Sequence, residues 1–133
     1  MKIKNKTSTL GFHIVNAILI IFYVYPGSIF GCYIYNNCHI QPQITSNFMI
    51  SSNYWISSNH FYVFIILSAL GFFAYQNTKK IKFLTIYLFL LSIILEVFHL
   101  IIPNRGFEWS DLFGNIVGLI FVIVIYKVKN RYA

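Results

Sequence analysis

Apolar residues fall into four long runs separated by short polar stretches. The runs are Leu10–Tyr25, which stops before Pro26; His60–Tyr75, which begins at His60 or as early as Tyr54; Ile81–Ile102, which stops before Pro103; and Leu112–Val128. A helix that spans a bilayer needs about 20 mostly apolar residues. The first two runs are short, which predicts tilt or local thinning of the bilayer. None of the runs alternates polar with apolar positions, as a strand of a membrane barrel would. The pattern predicts an all-α protein: one domain over residues 1–133, built as a four-helix transmembrane bundle. A long loop over residues 26–59 connects the first two spans, with a short strand expected at Cys32–Tyr35.

Composition points the same way. Hydrophobic residues make up 58% of the 133 residues and charged residues only 10%. Soluble domains are nearer a quarter charged, so this chain lacks the polar residues to cover a soluble surface. Its net charge of +7 would raise the question of nucleic acid in a soluble protein. Here the basic residues punctuate apolar runs, which excludes a nucleic-acid patch and makes them topology signals.

Lys2, Lys4 and Lys6 precede the first run; Lys79, Lys80 and Lys82 lie between the second and third; Lys127, Lys129 and Arg131 close the fourth. Arg105, between the third and fourth, is the one basic residue on the other side. The positive-inside rule then predicts a multi-pass protein of the cell membrane with both termini cytoplasmic. Loop 26–59 becomes an outer loop. It carries no Lys, Arg, Asp or Glu, which suits a segment lying against the membrane surface.

Cys32 and Cys38 both sit in that loop. Outside the cytoplasm they form either a small-loop disulfide or two free thiols. A lysine-rich start, an apolar run and Ile29-Phe30-Gly31-Cys32 also faintly resemble a lipoprotein signal, which Phe30 fits badly. Asn5-Lys6-Thr7 matches a glycosylation acceptor but is predicted cytoplasmic. No phosphate-cradling glycine loop or other cofactor motif is visible, and no cofactor is expected.

Ionisable residues inside a span are costly, by roughly 2.5–3.5 kcal/mol each on insertion scales, and so mark function. The only acids are Glu96, Glu108 and Asp111. Glu96 and His99 share one face of the third span, three residues apart. Glu96 lies about 10 Å below the outer helix end at the usual rise per residue, and must face the bundle interior or a wet cavity. Arg105 follows Pro103 and can reach back to Glu96 or forward to Asp111.

In the fourth span Asp111, Gly114, Asn115 and Gly118 form one stripe. Gly114 and Gly118 make a Gly-x-x-x-Gly pair that permits close helix approach. His60 opens the second span on the same side. His60, Glu96, His99, Arg105, Asp111 and Asn115 can therefore meet in a ligand-binding pocket within the outer leaflet. The plainer readings are a helix cap for Asp111, packing for the glycines and a structural ion pair for Glu96 with Arg105. Glu96-x-x-His99 is half of a carboxylate metal site whose second half is missing, so no metal is expected. His13 and Asn16 lie in the other half of the first span and suit helix–helix hydrogen bonding.

These residues resemble the signature of the VanZ-like family. The resemblance runs over Glu96-x-x-His99-x-x-x-Pro103-x-Arg105 and Asp111-x-x-x-Asn115-x-x-Gly118, and matches the family's pattern at every position but His99, where glutamine is usual. The second span, with His60-Phe61, Phe64, Leu67 and Leu70-Gly71, is similar to the family's His-Phe helix. Ile56 and Ser57 replace its Asp-Lys pair, and Val122 replaces a small residue. The resemblance implies an integral membrane protein with a cell-envelope role, in a family named for resistance to the glycopeptide antibiotic teicoplanin. It implies no reaction.

Three functions follow as expectations. The first is binding of an anionic lipid or a lipid-linked cell-wall precursor at the outer leaflet, with Arg105, His60 and Asn115 contacting the headgroup and Glu96 orienting Arg105. The second is an enzyme on such a lipid, with His60 or His99 as base. The third is a structural or assembly module. The bilayer is the one certain partner, no nucleic acid is expected, and an oligomer is left open.

Overall fold

In a computed structural model of the chain, residues 2–51, 54–76 and 78–132 are described; the side chains of residues 2–5, including Lys2, Lys4 and Asn5, and of Ile50, Ser51 and Tyr54 lie outside the described set. The element order is α1 (Lys2–Val24), α2 (Ile29–Tyr35), β1 (Phe48–Ser51), β2 (Tyr54–Ile56), α3 (Ser58–Tyr75), α4 (Ile81–Phe98) and α5 (Trp109–Tyr132). Four of the five helices are long and apolar enough to cross a membrane: Lys6–Val24, Ser58–Tyr75, Ile81–Phe98 and Trp109–Tyr132. Their outward faces support that setting. Leu10, Ile14, Ile18 and Ile21 on α1, and Phe83, Ile86, Leu90, Ile94 and Val97 on α4, are exposed at helical spacing. Water would oppose such stripes and lipid accepts them.

The bundle's directions follow from its contacts. On α1, His13 bonds the Tyr75 hydroxyl near the end of α3, while Tyr23 bonds His60 near its start, so the two run antiparallel. Asn16 donates to the Tyr87 hydroxyl and the Tyr23 carbonyl meets His99, so α1 and α4 run parallel. Helices α3 and α5 are also parallel. Gly114 faces Ser57 and His60 at one end, and Phe72 packs on Tyr126 at the other. Phe12, Leu19, Phe64, Leu67, Leu88, Leu95 and Leu119 fill the space between.

Gly114 and Gly118 set the closest approach. A Cβ on Gly114 would stand 2.7 Å from the Ser57 carbonyl oxygen, and one on Gly118 would stand 2.5 Å from that of Phe61. Only a residue without a side chain lets α3's backbone lie so near. In lipid, where apolar burial gives no net drive between helices, such van der Waals contact is what holds them.

The boundaries differ from the sequence reading in informative ways. Cys32–Tyr35 is helical, within α2, and not a strand. Ser28 caps that helix by accepting the Gly31 N–H at 3.0 Å, and Asn36 ends it in the left-handed region at φ 49°. The strands lie later: β1 and β2 pair antiparallel, with Phe48 opposite Ile56. Tyr54 belongs to β2, so the second span starts at Ser58. The third span ends at Phe98, short of Ile102. Leu100 and Ile101 donate to carbonyls three residues back, tightening the chain into a turn before Pro103.

Loop 26–59 is bonded to the bundle. Asn59 donates to the Pro42 carbonyl at 2.7 Å and accepts the Ile44 N–H at 2.8 Å. Ser58, fully buried, donates to the Thr45 carbonyl at 2.7 Å. Cys32 and Cys38 are joined by a disulfide.

Candidate functional site

The site grows from three helix ends that meet. The Ser57 N–H donates to the Ser110 carbonyl at 3.0 Å, which fixes the start of α3 against the start of α5. One turn further in, this registry sets His60 Nε2 3.2 Å from an Asp111 carboxylate oxygen. Below that pair, Asn115 Oδ1 lies 3.2 Å from His60 Nδ1, and its amide nitrogen reaches the Ser92 carbonyl on α4 at 3.4 Å. Helix α4 contributes Glu96 and its C-cap residue His99, whose Oε1 and Nδ1 stand 3.3 Å apart. Glu96, His99, Asn115 and His60 are all buried.

Tyr23 of α1 ties these helices together, and sequence reasoning missed it. Its hydroxyl donates to Asn115 Oδ1 at 2.7 Å and lies 3.0 Å from His60 Nδ1. Its ring stacks on His99 with centroids 5.8 Å apart, and its backbone carbonyl meets His99 Nε2 at 3.1 Å. The signal that could have found it was slight. Tyr23 lies near the C-terminal end of its span, and interfacial tyrosines are common at span ends and carry no special meaning there.

Arg105 does not pair with either carboxylate. It turns instead to the end of α1, where Nη2 donates to the Phe22 carbonyl at 3.1 Å and Nε to the Tyr25 carbonyl at 3.4 Å. These carbonyls are left open at a helix C-terminus, where a cation is also favoured by the dipole. The expected Glu96–Arg105 ion pair is thus replaced by a cap, and Glu96 accepts the Glu108 N–H at 3.0 Å. Burial lowers the Arg105 pKa from its ordinary value, and the charge of Asp111 opposes that shift. Three of its five N–H groups remain for other acceptors.

These groups adjoin a cleft of about 570 Å³ between α1, α3 and loop 26–59. Apolar side chains such as Val15, Ile18, Leu19, Val63 and Ile66 line its length, while Tyr23, His60, His99 and Arg105 line it where the polar groups gather. Gln41, Gln43 and Asn59 add neutral polar groups from the loop and the start of α3. Among the described residues, His60, Glu96 and Asp111 also present one ligand atom each, all within 4.8 Å of one another. Gly114 and Gly118 stay outside the polar cluster as packing positions, and the Cys32–Cys38 bridge lies in the covering loop. His13 and Asn16 lie toward the opposite end of the bundle, with Tyr75 and Tyr87.

Comparison with known proteins places this geometry in a family. A family model described as VanZ/LLP1 matches residues 10–130, which takes in the second and third spans whole, most of the first and fourth, and the polar cluster. The chain therefore belongs to the VanZ/LLP1 family. No curated protein and no solved structure matches it.

Proposed function

We propose that this VanZ-like membrane protein binds a phosphate-bearing lipid, either an anionic phospholipid or a lipid-linked cell-wall precursor, with its headgroup at Arg105 and its acyl chain in the cleft between α1 and α3. The observation that carries this reading is one continuous cleft that is apolar along its length and cationic at Arg105. An acyl chain needs the first feature and a phosphate the second. Arginine offers several parallel donors to phosphate oxygens, which a lysine does not.

The basic residues support the orientation, with both termini in the cytoplasm and the Arg105 end in the outer leaflet of the cell membrane. There the ligand would be an envelope lipid, and retention of such a lipid is a route by which the protein would alter the response to glycopeptide antibiotics such as teicoplanin. Catalysis by a histidine base is the weaker reading. Both ring nitrogens of His60 and of His99 already face protein groups, so a substrate would have to displace one of these partners to reach them.

The test is lipid retention. Protein purified in mild detergent, analysed by native mass spectrometry, should carry a phosphate-bearing lipid. Hydrogen bonds to a charged partner contribute about 1.5–3 kcal/mol, so Arg105→Ala should lower occupancy by about tenfold or more. Retention of the same lipid at the same occupancy by a folded Arg105→Ala protein would refute the headgroup assignment.

A further inference from the structure

We infer that His60, Glu96 and Asp111 form a binding site for a divalent transition-metal ion, Mn²⁺ or Zn²⁺. Two independent observations lead there. The first is convergence: three helices each deliver one ligand atom into a space 4.8 Å across. Two ligands each about 2.1 Å from a metal, at 90–109° to one another, stand about 3.0–3.4 Å apart. His60 Nε2 and the Asp111 oxygen, at 3.2 Å, already have that spacing. Glu96 presents its ligand atom within 4.8 Å of both and must close toward them to complete the set.

The second is an unmet oxygen. Glu96 is fully buried; its Oε1 accepts the Glu108 N–H, while Oε2 has no hydrogen-bond partner. A buried carboxylate oxygen left bare costs more than an ordinary unmade hydrogen bond. A cation between Glu96, His60 and Asp111 would satisfy it.

The proton arrangement around His60 depends on which way the Tyr23 hydroxyl turns, and one of the two arrangements calls for a cation. Where the hydroxyl donates its one proton to Asn115 Oδ1, only its oxygen lone pairs remain for His60 Nδ1. Both neighbours of Nδ1 are then acceptors, so Nδ1 carries the N–H. In a neutral ring Nε2 is left as a lone pair aimed at a carboxylate 3.2 Å away. Two acceptors do not face each other at that distance without something positive between them. A metal ion serves, and a proton is the competing occupant.

The donor set of one imidazole and two carboxylates suits Mn²⁺ and Zn²⁺, and it is poor for the all-oxygen preference of Ca²⁺. The sequence reading set metal aside because it sought a second Glu-x-x-His beside Glu96 and His99. The structure draws the ligands from α3, α4 and α5 instead, one from each.

This inference concerns the same polar cluster as the lipid reading but does not depend on it, because the ion alone is the probe. Protein stripped with a chelator and titrated with MnCl₂ should bind one ion, followed by loss of the free-ion electron paramagnetic resonance signal and displaced by ZnCl₂. Affinity should fall by about tenfold or more in Glu96→Gln and in Asp111→Asn. Glu108→Gln, at an exposed acid, should bind as the unsubstituted protein does. Pulsed measurements on the Mn²⁺-loaded unsubstituted protein should show coupling to one imidazole nitrogen, a readout that needs no variant to fold. Failure to bind either ion, absence of the nitrogen coupling, or equal binding by both acidic-site variants would overturn the site and leave a proton as the occupant. Mn²⁺ binding without lipid retention would refute the lipid reading alone, and Arg105-dependent lipid retention without Mn²⁺ binding would refute only the metal.

Discussion

Gly118→Ala would put a methyl carbon 2.5 Å from the Phe61 carbonyl oxygen. Ordinary contact at such a position begins at 3.4 Å, so α3 and α5 must separate locally by about 0.9 Å, the difference between the two. The obstacle is backbone, with Phe64 Cβ at 3.2 Å and the Ile65 nitrogen at 3.3 Å beside it, so no rotamer change relieves it. Overpacking of this kind costs about 1–3 kcal/mol. Alanine's better helix propensity returns at most about 1 kcal/mol, measured in water. The expected net is a loss of about 2 kcal/mol, the upper end of the cost less the propensity gain, because the obstacle is backbone. The assay is thermal unfolding of the purified protein in detergent, read by the fraction eluting as folded protein after heating. Gly106→Ala is the control, because nothing lies within 4 Å of its added carbon. An unchanged or raised midpoint for Gly118→Ala, with Gly106→Ala neutral, would refute the claim that α3 and α5 touch through glycine.

Tyr23→Phe should lower stability by about 1–3 kcal/mol in the same assay, because it leaves the Asn115 oxygen short of a donor while keeping the ring that stacks on His99; an effect no larger than that of Tyr33→Phe, at an exposed loop tyrosine, would speak against Tyr23 as the tie between helices. The orientation is checked by thiol labelling of intact cells in a Cys32→Ser/Cys38→Ser background. Ile44→Cys should react with a membrane-impermeant reagent at once and Lys129→Cys only after permeabilisation, and the reverse order would invert the topology.

The four spans were legible because each long helix shows lipid a continuous apolar face, and a run of such residues is visible without knowing the partner helix. Gly114 and Gly118 were legible as a stripe for the same reason of spacing. Element ends were less so. Near Phe98 the competition is between apolar residues that would prolong the helix and a proline five residues on, and hydropathy reads only the first of these. What the loop's Ser and Asn side chains bond to could not be read from its uncharged composition. Asn59 and Ser58 use those groups to bond loop carbonyls and amides to the start of α3, a role that composition does not encode.

Within the polar cluster, spacing along one helix placed Glu96 beside His99 and Asp111 above Asn115, since both are local facts. Partners across helices were harder. Arg105 looked like the counter-ion of Glu96 because opposite charges attract and both lay at one end. What decided otherwise is that the turn after α4 delivers the guanidinium to the end of α1, where the Phe22 and Tyr25 carbonyls accept it, while the Glu108 backbone amide takes Glu96 Oε1. Asp111 is likewise placed by backbone. The bond from Ser57 to Ser110 fixes its level, and the missing side chains of Gly114 and Gly118 fix how near α5 comes to His60. Packing and chemistry are thus one constraint here. Moving α3 outward by the 0.9 Å worked out above would stretch the His60–Asp111 contact from 3.2 Å toward 4 Å. The same Gly118→Ala substitution that costs stability should therefore also weaken whatever cation or proton these two residues share, although Gly118 touches neither.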